Sequence, residues 1–260
     1  MKDRLPISLV VITHNEERNI ERCLRAADFC AERLVVDSGS TDRTVELATS
    51  CGARVIRRDW TGYRDQKNFG SAQATQPWVL CIDADEVVSA ELRTDIVRRF
   101  AAELPEDAFE INRHSYYAGT LINHSGWYPQ WRLFLYRQGA AEWGGNEPHT
   151  TVEFKGERKA RLRGDLYHHT YVNIRHHMAK LVGQAHDSAV AMHRAGRRSS
   201  WLDIGFRSPW AVFRAYWLEL GVLDGFYGLV ISVSAGYYTF LKYTMLRELK
   251  RARAVNGRSL

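Results

Sequence analysis

Trp78-Val79-Leu80-Cys81-Ile82-Asp83-Ala84-Asp85-Glu86 is an apolar run that ends on three closely spaced carboxylates. A short apolar run bounded by turn residues reads as a strand buried on both faces. Working outward, Ile7 to Ile12 is a second such run, rich in β-branched residues, and it ends in Thr13-His14-Asn15-Glu16. Leu34-Val35-Val36 is a third, ending in Asp37-Ser38-Gly39-Ser40-Thr41-Asp42, and Ala53 to Ile56 is a fourth. Helical patterns separate them. Glu17 to Phe29 places Ile20, Cys23, Leu24 and Ala27 on one side, and Val45, Leu47, Ala48 and Cys51 repeat the pattern before Gly52. A polar helix surrounds Gln66 to Ala74, and an amphipathic one runs from Ser89, its expected cap, to Leu104. Strands alternating with helices predict a parallel sheet covered by helices on both faces.

In such sheets ligands bind off the carboxyl ends of the strands. Three of those ends carry acidic or amide residues: Asn15-Glu16, Asp37 with Asp42, and Asp83 to Glu86. Asp83 and Asp85 repel one another unless a cation or hydrogen bonds compensate. A hard divalent cation shared with a diphosphate does so, because Mg²⁺ takes one or two carboxylates plus phosphate oxygens. An Asp-rich turn capping a helix has the same composition. Asp37 can accept from a ribose or a base, Gly39 allows close approach of a ligand to the backbone, and Ser40, Thr41 or Asp42 can cap the next helix. Lys67 can pair with a phosphate or stand as an exposed helix lysine.

The 260 residues are 45% hydrophobic and 25% charged, with a formal net charge of +6. That is a globular composition, and it excludes disorder as the dominant state. The positive excess suits an anionic substrate or an anionic membrane face. Nucleic acid is not an expected partner, because the basic residues are scattered. Without Gly-x-Gly-x-x-Gly after the first strand, a dehydrogenase is disfavoured. Cys23, Cys30, Cys51 and Cys81 have no Cys-x-x-Cys spacing and read as reduced thiols in a cytoplasmic protein. No secretion signal is visible at Met1 to Pro6.

After Phe109 the pattern changes to extended pieces: Trp131 to Arg137, Val152 to Phe154 and Leu162 to Tyr167. Asn173 to Arg194 reads as a helix, and Pro209 to Leu249 as helical and aromatic. Gly225 to Leu241 carries no charge but is shorter than the roughly 20 apolar residues of a spanning helix. Trp201, Phe206, Trp210, Phe213, Tyr216 and Trp217 lie among Arg197, Arg198, Arg207 and Arg214, with Arg247, Lys250, Arg251 and Arg253 beyond. Aromatics mixed with arginines fit a membrane headgroup zone. A helical hairpin packed on the catalytic domain, or a dimer contact, has the same pattern.

Val-Val-Ile-Thr-His-Asn-Glu (10–16), Val-Val-Asp-Ser-Gly-Ser-Thr-Asp (35–42), Gln-Lys-Asn (66–68) and Asp-Ala-Asp-Glu (83–86) together resemble glycosyltransferase family 2. Within it they resemble the branch of lipopolysaccharide core β-glucosyltransferases. Trp-Arg-Leu (131–133), Trp-Gly-Gly (143–145) and Pro-His (148–149) extend the resemblance more loosely. It implies a GT-A type α/β fold: a Rossmann-like, mostly parallel sheet with flanking helices and a C-terminal helical extension. The expected division is a catalytic domain over 1–172 and the extension over 173–260. Thr13, Asn15, Glu16, Asp37 and Lys67 would contact the nucleotide, Asp83 would lie near ribose or uracil, and Asp85 would bind Mg²⁺ or Mn²⁺. His149 would touch the diphosphate or the metal, and Trp131 and Arg132 would line the acceptor or phosphate pocket.

The resemblance further implies inverting transfer of a hexose from a donor such as UDP-glucose onto a lipid-linked glycan, at the cytoplasmic face of the inner membrane. Such transfer needs a base for the acceptor hydroxyl. Related sequences often carry His-Glu after the Trp-Arg strand, whereas Glu147-Pro148-His149-Thr150 stands here. Glu147 is the candidate base, with Glu142 and Asp165 behind it. Transfer onto a polyprenyl phosphate or an exopolysaccharide intermediate, and non-catalytic binding of a sugar nucleotide, are the alternatives.

Overall fold

A computed structural model describes residues 4–146 and 149–256. Its first half alternates as the apolar runs predict: β1 (Leu5–Thr13), α1 (Ile20–Ala26), β2 (Cys30–Asp37), α2 (Thr44–Ser50), β3 (Arg54–Arg57), α3 (Tyr63–Ala72) and β4 (Trp78–Asp83). Then come β5 (Glu86–Val88), α4 (Ala90–Phe100), β6 (Ala108–Tyr117), β7 (Thr120–Leu121), β8 (Gln130–Arg137), β9 (Ala141–Asn146), β10 (His149–Phe154) and β11 (Lys159–Tyr171). The main sheet has the order β3-β2-β1-β4-β8-β6-β11-β5, with β7 paired to β6; β9 and β10 form a separate hairpin.

The four N-terminal strands pair in parallel, and β8 then opens an antiparallel flank. β1 is central, and Ile7 and Leu9 to Val11 are fully buried because helices cover both faces of the sheet. Ile7, Leu9, Val11, Leu80, Ile82, Leu92 and Ile96 belong to one core cluster on one side. Val10, Leu34, Val79 and Cys81 face another, with Tyr136 and Trp143. Gly70 lets α3 sit hard against β1, since a Cβ there would lie 2.5 Å from Val10 Cγ1. Gly164 does the same for β11 and α4: it has φ +83°, and a Cβ would meet Leu92 N at 2.3 Å.

The chain divides into two compact units. One holds the chain up to His114 and then Gln130–His168; the other holds Ser115–Pro129 and the chain from His169. The second unit is therefore discontinuous. The sequence-based division at 172/173 leaves out the 115–129 excursion, whose side chains pack with its helices. Those helices are α5 (Ile174–Arg194), α6 (Trp201–Phe213) and α7 (Gly225–Asn256). Tyr117, Ile122, Tyr171 and Ile231 form the unit's core, with Trp127 and Tyr227 against it.

The stretch from Pro209 to Leu249 is helical as expected, but it is interrupted. A π-helical turn spans Arg214–Leu218 and a 3-10 turn spans Gly221–Asp224, with Leu220 left-handed at φ 54° between them. Asp224 fixes the break. Its carboxylate accepts from Asn123 N at 3.1 Å and His124 N at 2.9 Å, and lies 3.0 Å from His124 Nδ1.

Candidate active site

Parallel pairing decides where the strand tips go. Ile12 lies opposite both Val36 and Asp83, and Thr13 lies opposite Asp37. With strands about 4.8 Å apart, Thr13, Asp37 and Asp83 share one rim. The hydroxyl Oγ1 of Thr13 is buried there with no hydrogen-bond partner among the described residues. An orphaned buried hydroxyl costs stability unless a ligand or water satisfies it.

The loops after β1 and β2 are stitched together. Asn15 adopts φ 56°, a conformation that asparagine tolerates better than most residues. Its N–H donates to Ser40 Oγ at 2.9 Å, and its Oδ1 accepts from Thr41 N at 2.9 Å. Glu16 N donates to Thr44 Oγ1 at 2.7 Å, while Glu16 Oε2 accepts from Asn19 Nδ2 at 2.7 Å. Asp42 accepts from Thr44 N at 3.0 Å at the start of α2 and from Glu17 N at 3.1 Å. The buried Asp37 turns onto its own loop and accepts from Gly39 N and Ser40 N, each at 3.1 Å. Its oxygens thus shape the loop, a role compatible with the ribose or base contact expected from the sequence, since a carboxylate accepts at about four sites.

Gln66-Lys67-Asn68 acts as a three-way brace. Gln66 Nε2 donates to Asp59 O at 2.8 Å and to Ser38 Oγ at 3.2 Å, joining the loops after β3 and β2. Asn68 Nδ2 donates to Trp143 O at 2.9 Å and its Oδ1 accepts from Trp143 N at 2.8 Å, fixing the β9 hairpin. Lys67 is buried, not an exposed helix lysine. Its Nζ lies 2.8 Å from Asp83 Oδ1 and 4.1 Å from the centre of the Trp143 ring. Burial pushes the Lys67 ammonium down, but Asp83, Cys81 and Glu86 together outweigh that and hold it above its usual value. Burial likewise pushes Asp83 up, and Lys67, with His168 and Arg113 behind it, outweighs that, so Asp83 stays below the usual carboxylate range. The pair is charged.

Glu86 follows the turn, fully buried. It accepts from Asp83 N at 3.0 Å and lies 3.7 Å from Arg113 Nη1. Burial and then the charge of Asp83 push its carboxyl up. Glu86 pairs across the sheet with His168 on β11, whose Nε2 lies 3.4 Å from Asp85 Oδ2. His168 was not singled out from the sequence. A carboxylate oxygen and an imidazole nitrogen at that separation suit neighbouring positions on one small divalent cation, whose ligands at about 2.1 Å stand about 3 Å apart. Among the described residues no cluster of three or more His, Cys, Asp or Glu forms a complete cage. The two groups therefore fit a cation that takes its remaining ligands from phosphate and water.

Trp131 and Arg132 do not share a pocket wall. Consecutive strand residues point to opposite faces. Arg132 lies opposite Ile111, on the face of Arg113 and Glu86. Desolvation and then the like charge of Arg113 push its guanidinium down, against the pull of Glu86 and Asp83. Trp131 lies opposite Asn112, with the Arg161 guanidinium 4.5 Å from its ring centre. Asp165 is on that second face too, held by Asn112 Nδ2 at 2.8 Å and His114 Nδ1 at 2.9 Å. Its backbone N–H donates to Ser89 Oγ at 3.2 Å, and Ser89 caps α4 as expected. Asp165 is a clamp turned away from the Asp85 face. Glu142 is exposed and ion-paired with Lys155. Glu147 lies outside the described residues, as does the side chain of His149.

Residues 8–163 match the family described as Glycosyl transferase family 2. The chain belongs to that family. An uncharacterized glycosyltransferase of Rickettsia bellii is 31% identical over 94% of this chain and 86% of its own length. LpsC of Rhizobium meliloti, a lipopolysaccharide core biosynthesis glycosyltransferase, is 27% identical over 93% of this chain and 92% of its own. A crystal structure of glucosyl-3-phosphoglycerate synthase from Mycobacterium tuberculosis, with Mn²⁺, UDP and glucosyl-3-phosphoglycerate, aligns over only 44% of each chain. Its identity is 24% and its TM-score 0.36. The rim described above thus belongs to a family 2 glycosyltransferase.

Proposed function

We propose that this glycosyltransferase moves a hexose, glucose, from UDP-glucose to a lipid-linked acceptor of the lipopolysaccharide core type, with inversion, at the cytoplasmic face of the inner membrane. The observation that carries the donor reading is the convergence of Thr13, Asp83, Asp85 and His168 on one rim, with Lys67 and Arg113 as the balancing cations. The name of the Rhizobium relative supports the acceptor class.

Asp85 and His168 would hold Mn²⁺ or Mg²⁺. Such a cation, when bound, neutralises a diphosphate and makes a nucleoside diphosphate a better leaving group. This chain's own groups do the positioning. Lys67 fixes the Asp83 carboxylate at the β4 tip, leaving 34% of that side chain open towards a ligand. The Thr13 hydroxyl is available to the nucleotide, and the braced Asn15 and Asp37 loops form its wall. Arg132 supplies positive charge on the Asp85 face, where a phosphate would be drawn. Glu147 remains the base that takes the proton of the attacking acceptor hydroxyl.

Titration of UDP into the full chain with and without Mn²⁺ tests the donor site. Mn²⁺ should tighten UDP binding in the wild type but not in Asp85→Ala or His168→Ala, and Asp85→Ala should lose transfer by about 10³-fold or more. Equal Mn²⁺ dependence in the variants would sink the assignment. Transfer onto a polyprenyl phosphate but not onto a core acceptor would replace the acceptor reading.

A further inference from the structure

The second unit carries an apolar surface that no residue of the catalytic rim uses. Along α6 and its π-helical turn, Leu202, Phe206, Trp210, Phe213 and Trp217 are exposed. Their spacings of four, four, three and four put them on one helix face. Along α7, Phe226, Leu229, Val233, Tyr237 and Phe240 are exposed with spacings of three, four, four and three. The helices form a hairpin. A Cβ on Gly236 of α7 would meet Val212 Cγ2 of α6 at 2.3 Å, and the Arg247 guanidinium lies 4.6 Å from the Trp201 ring centre. At its turn Leu218 and Leu223 are 59% and 65% exposed. Two such stripes, joined at the tip, exceed the scattered apolar exposure of an ordinary surface.

Charge along the hairpin is arranged to keep that surface clear. Residues 201–241 contain three acids, Asp203, Glu219 and Asp224. Asp203 pairs with Arg207 at 2.7 Å and Glu219 with Arg214 at 3.3 Å. Asp224 is nearly buried against His124. Cations gather at the open end of the hairpin. Burial, and then the like charges of Arg207 and Arg197, push the Lys242 ammonium down, and Arg247, Lys250 and Arg251 follow on α7. An apolar, aromatic face with a basic border matches the interface of an anionic bilayer, where acyl chains meet aromatics and phosphates meet cations. No single helix among the described residues is long and apolar enough to cross a membrane. Trp201–Leu218 and Gly221–Arg251 reach that apolarity only together, as a bent pair.

We propose that the α6–α7 hairpin is a monotopic anchor that buries Trp217, Leu218, Leu223 and Phe226 below the headgroups of an anionic bilayer, with its basic end at the phosphates. This names the anchoring surface and goes beyond sugar transfer, and it holds whether or not the donor assignment does. The test is co-sedimentation of the full chain with vesicles of phosphatidylcholine alone or with phosphatidylglycerol. Wild type should bind the mixed vesicles, retain part of that binding in high salt, and show tryptophan quenching by brominated acyl chains. Leu223→Asp/Phe226→Asp changes two exposed side chains and should lower partitioning by tenfold or more. An unchanged thermal midpoint and UDP affinity would show that the variant is folded. Binding by the double variant equal to wild type, or abolished wholly by salt in the wild type, overturns the proposal. So does self-association of the wild type in vesicle-free buffer that the double variant relieves, because the face then belongs to a second copy of the chain.

Discussion

Replacing Lys67 by methionine keeps the bulk of the side chain and removes the charge that faces Asp83. In the wild type that charge is 2.8 Å from Asp83 Oδ1 and sits under the Trp143 ring. Breaking a fully buried ion pair costs about 3–5 kcal/mol, because the surviving charge is left without compensation. Asp83 is not fully enclosed: 34% of its side chain is open, so water recovers part of that loss. We therefore expect Lys67→Met to cost about 2 kcal/mol, at or below the low end of the range. For a domain of this size that is a fall of about 4–8 °C in melting temperature. Asp83→Asn should also destabilise, since it strands the buried ammonium. The double variant should be more stable than the two single losses predict by about 2 kcal/mol, because neither charge is then left alone. Urea unfolding of the four proteins at one pH and ionic strength measures that coupling. Losses that add, with no coupling outside error, would refute the ion pair as the element that holds the β4 tip.

Three further outcomes follow from the same geometry. His177 lies 4.2 Å from the Tyr171 ring centre and 2.9 Å from the Tyr117 hydroxyl, where burial, and then His176, push its pKa from 6.5 to about 4. The unfolded chain takes up that proton near pH 6.5 and the folded chain only near 4, so stability should fall on acidification across this window. The loss is about 3 kcal/mol at its lower end, and a His177→Phe variant should lack that part of the pH slope in urea unfolding. Gly164→Ala, at φ +83° against Leu92 N, should cost about 2 kcal/mol or more by thermal melting. Gly39→Ala, at φ +87° with open space around it, should cost only about 1 kcal/mol.

The donor half of the molecule was legible because parallel strands convert sequence pattern directly into position. Once Ile7 to Ile12 and Trp78 to Ile82 are read as strands buried on both faces, their polar ends must emerge at one edge, and the register of Ile12 with Asp83 realises it. What chemistry each tip performs was less legible. Asp37 also has a structural part that its position at a strand end does not announce: a carboxylate followed by Gly39 and Ser40 has two backbone donors within reach of its own loop and accepts from both. Trp131 and Arg132 were read together, although strand alternation alone separates them. His168 was hidden for a different reason. It reaches Asp85 only through antiparallel pairing of β11 with β5, a strand of three residues, too short to show any periodicity.

The break in the C-terminal helices was hidden in the same way, because its cause is not in the helix. Nothing local in Arg214 to Asp224 forces a turn as plainly as proline would, and the apolar pattern runs through it. The turn is held by Asp224 accepting from Asn123 and His124, and by Glu219 O accepting from Ser125 N at 2.8 Å. These donors come from the 115–129 excursion, about a hundred residues upstream. Pairing Asp224 to that segment has a second effect: it removes the negative charge nearest the hairpin tip from solvent. The same contact that bends the helices therefore leaves Leu223 and Phe226 exposed on a tip whose other acid, Glu219, is paired with Arg214. Asp224→Asn leaves a single acceptor oxygen, so it loses one of the two backbone N–H bonds, which the wild type accepts on different oxygens, together with the charge that faces His124. It should lower the melting temperature by a few degrees, about 1–2 kcal/mol, while leaving vesicle binding within twofold of wild type. If Asp224→Asn instead raised vesicle binding severalfold, the aspartate would be repelling the anionic surface from an unpaired state, and the account of the tip as charge-neutral would fail.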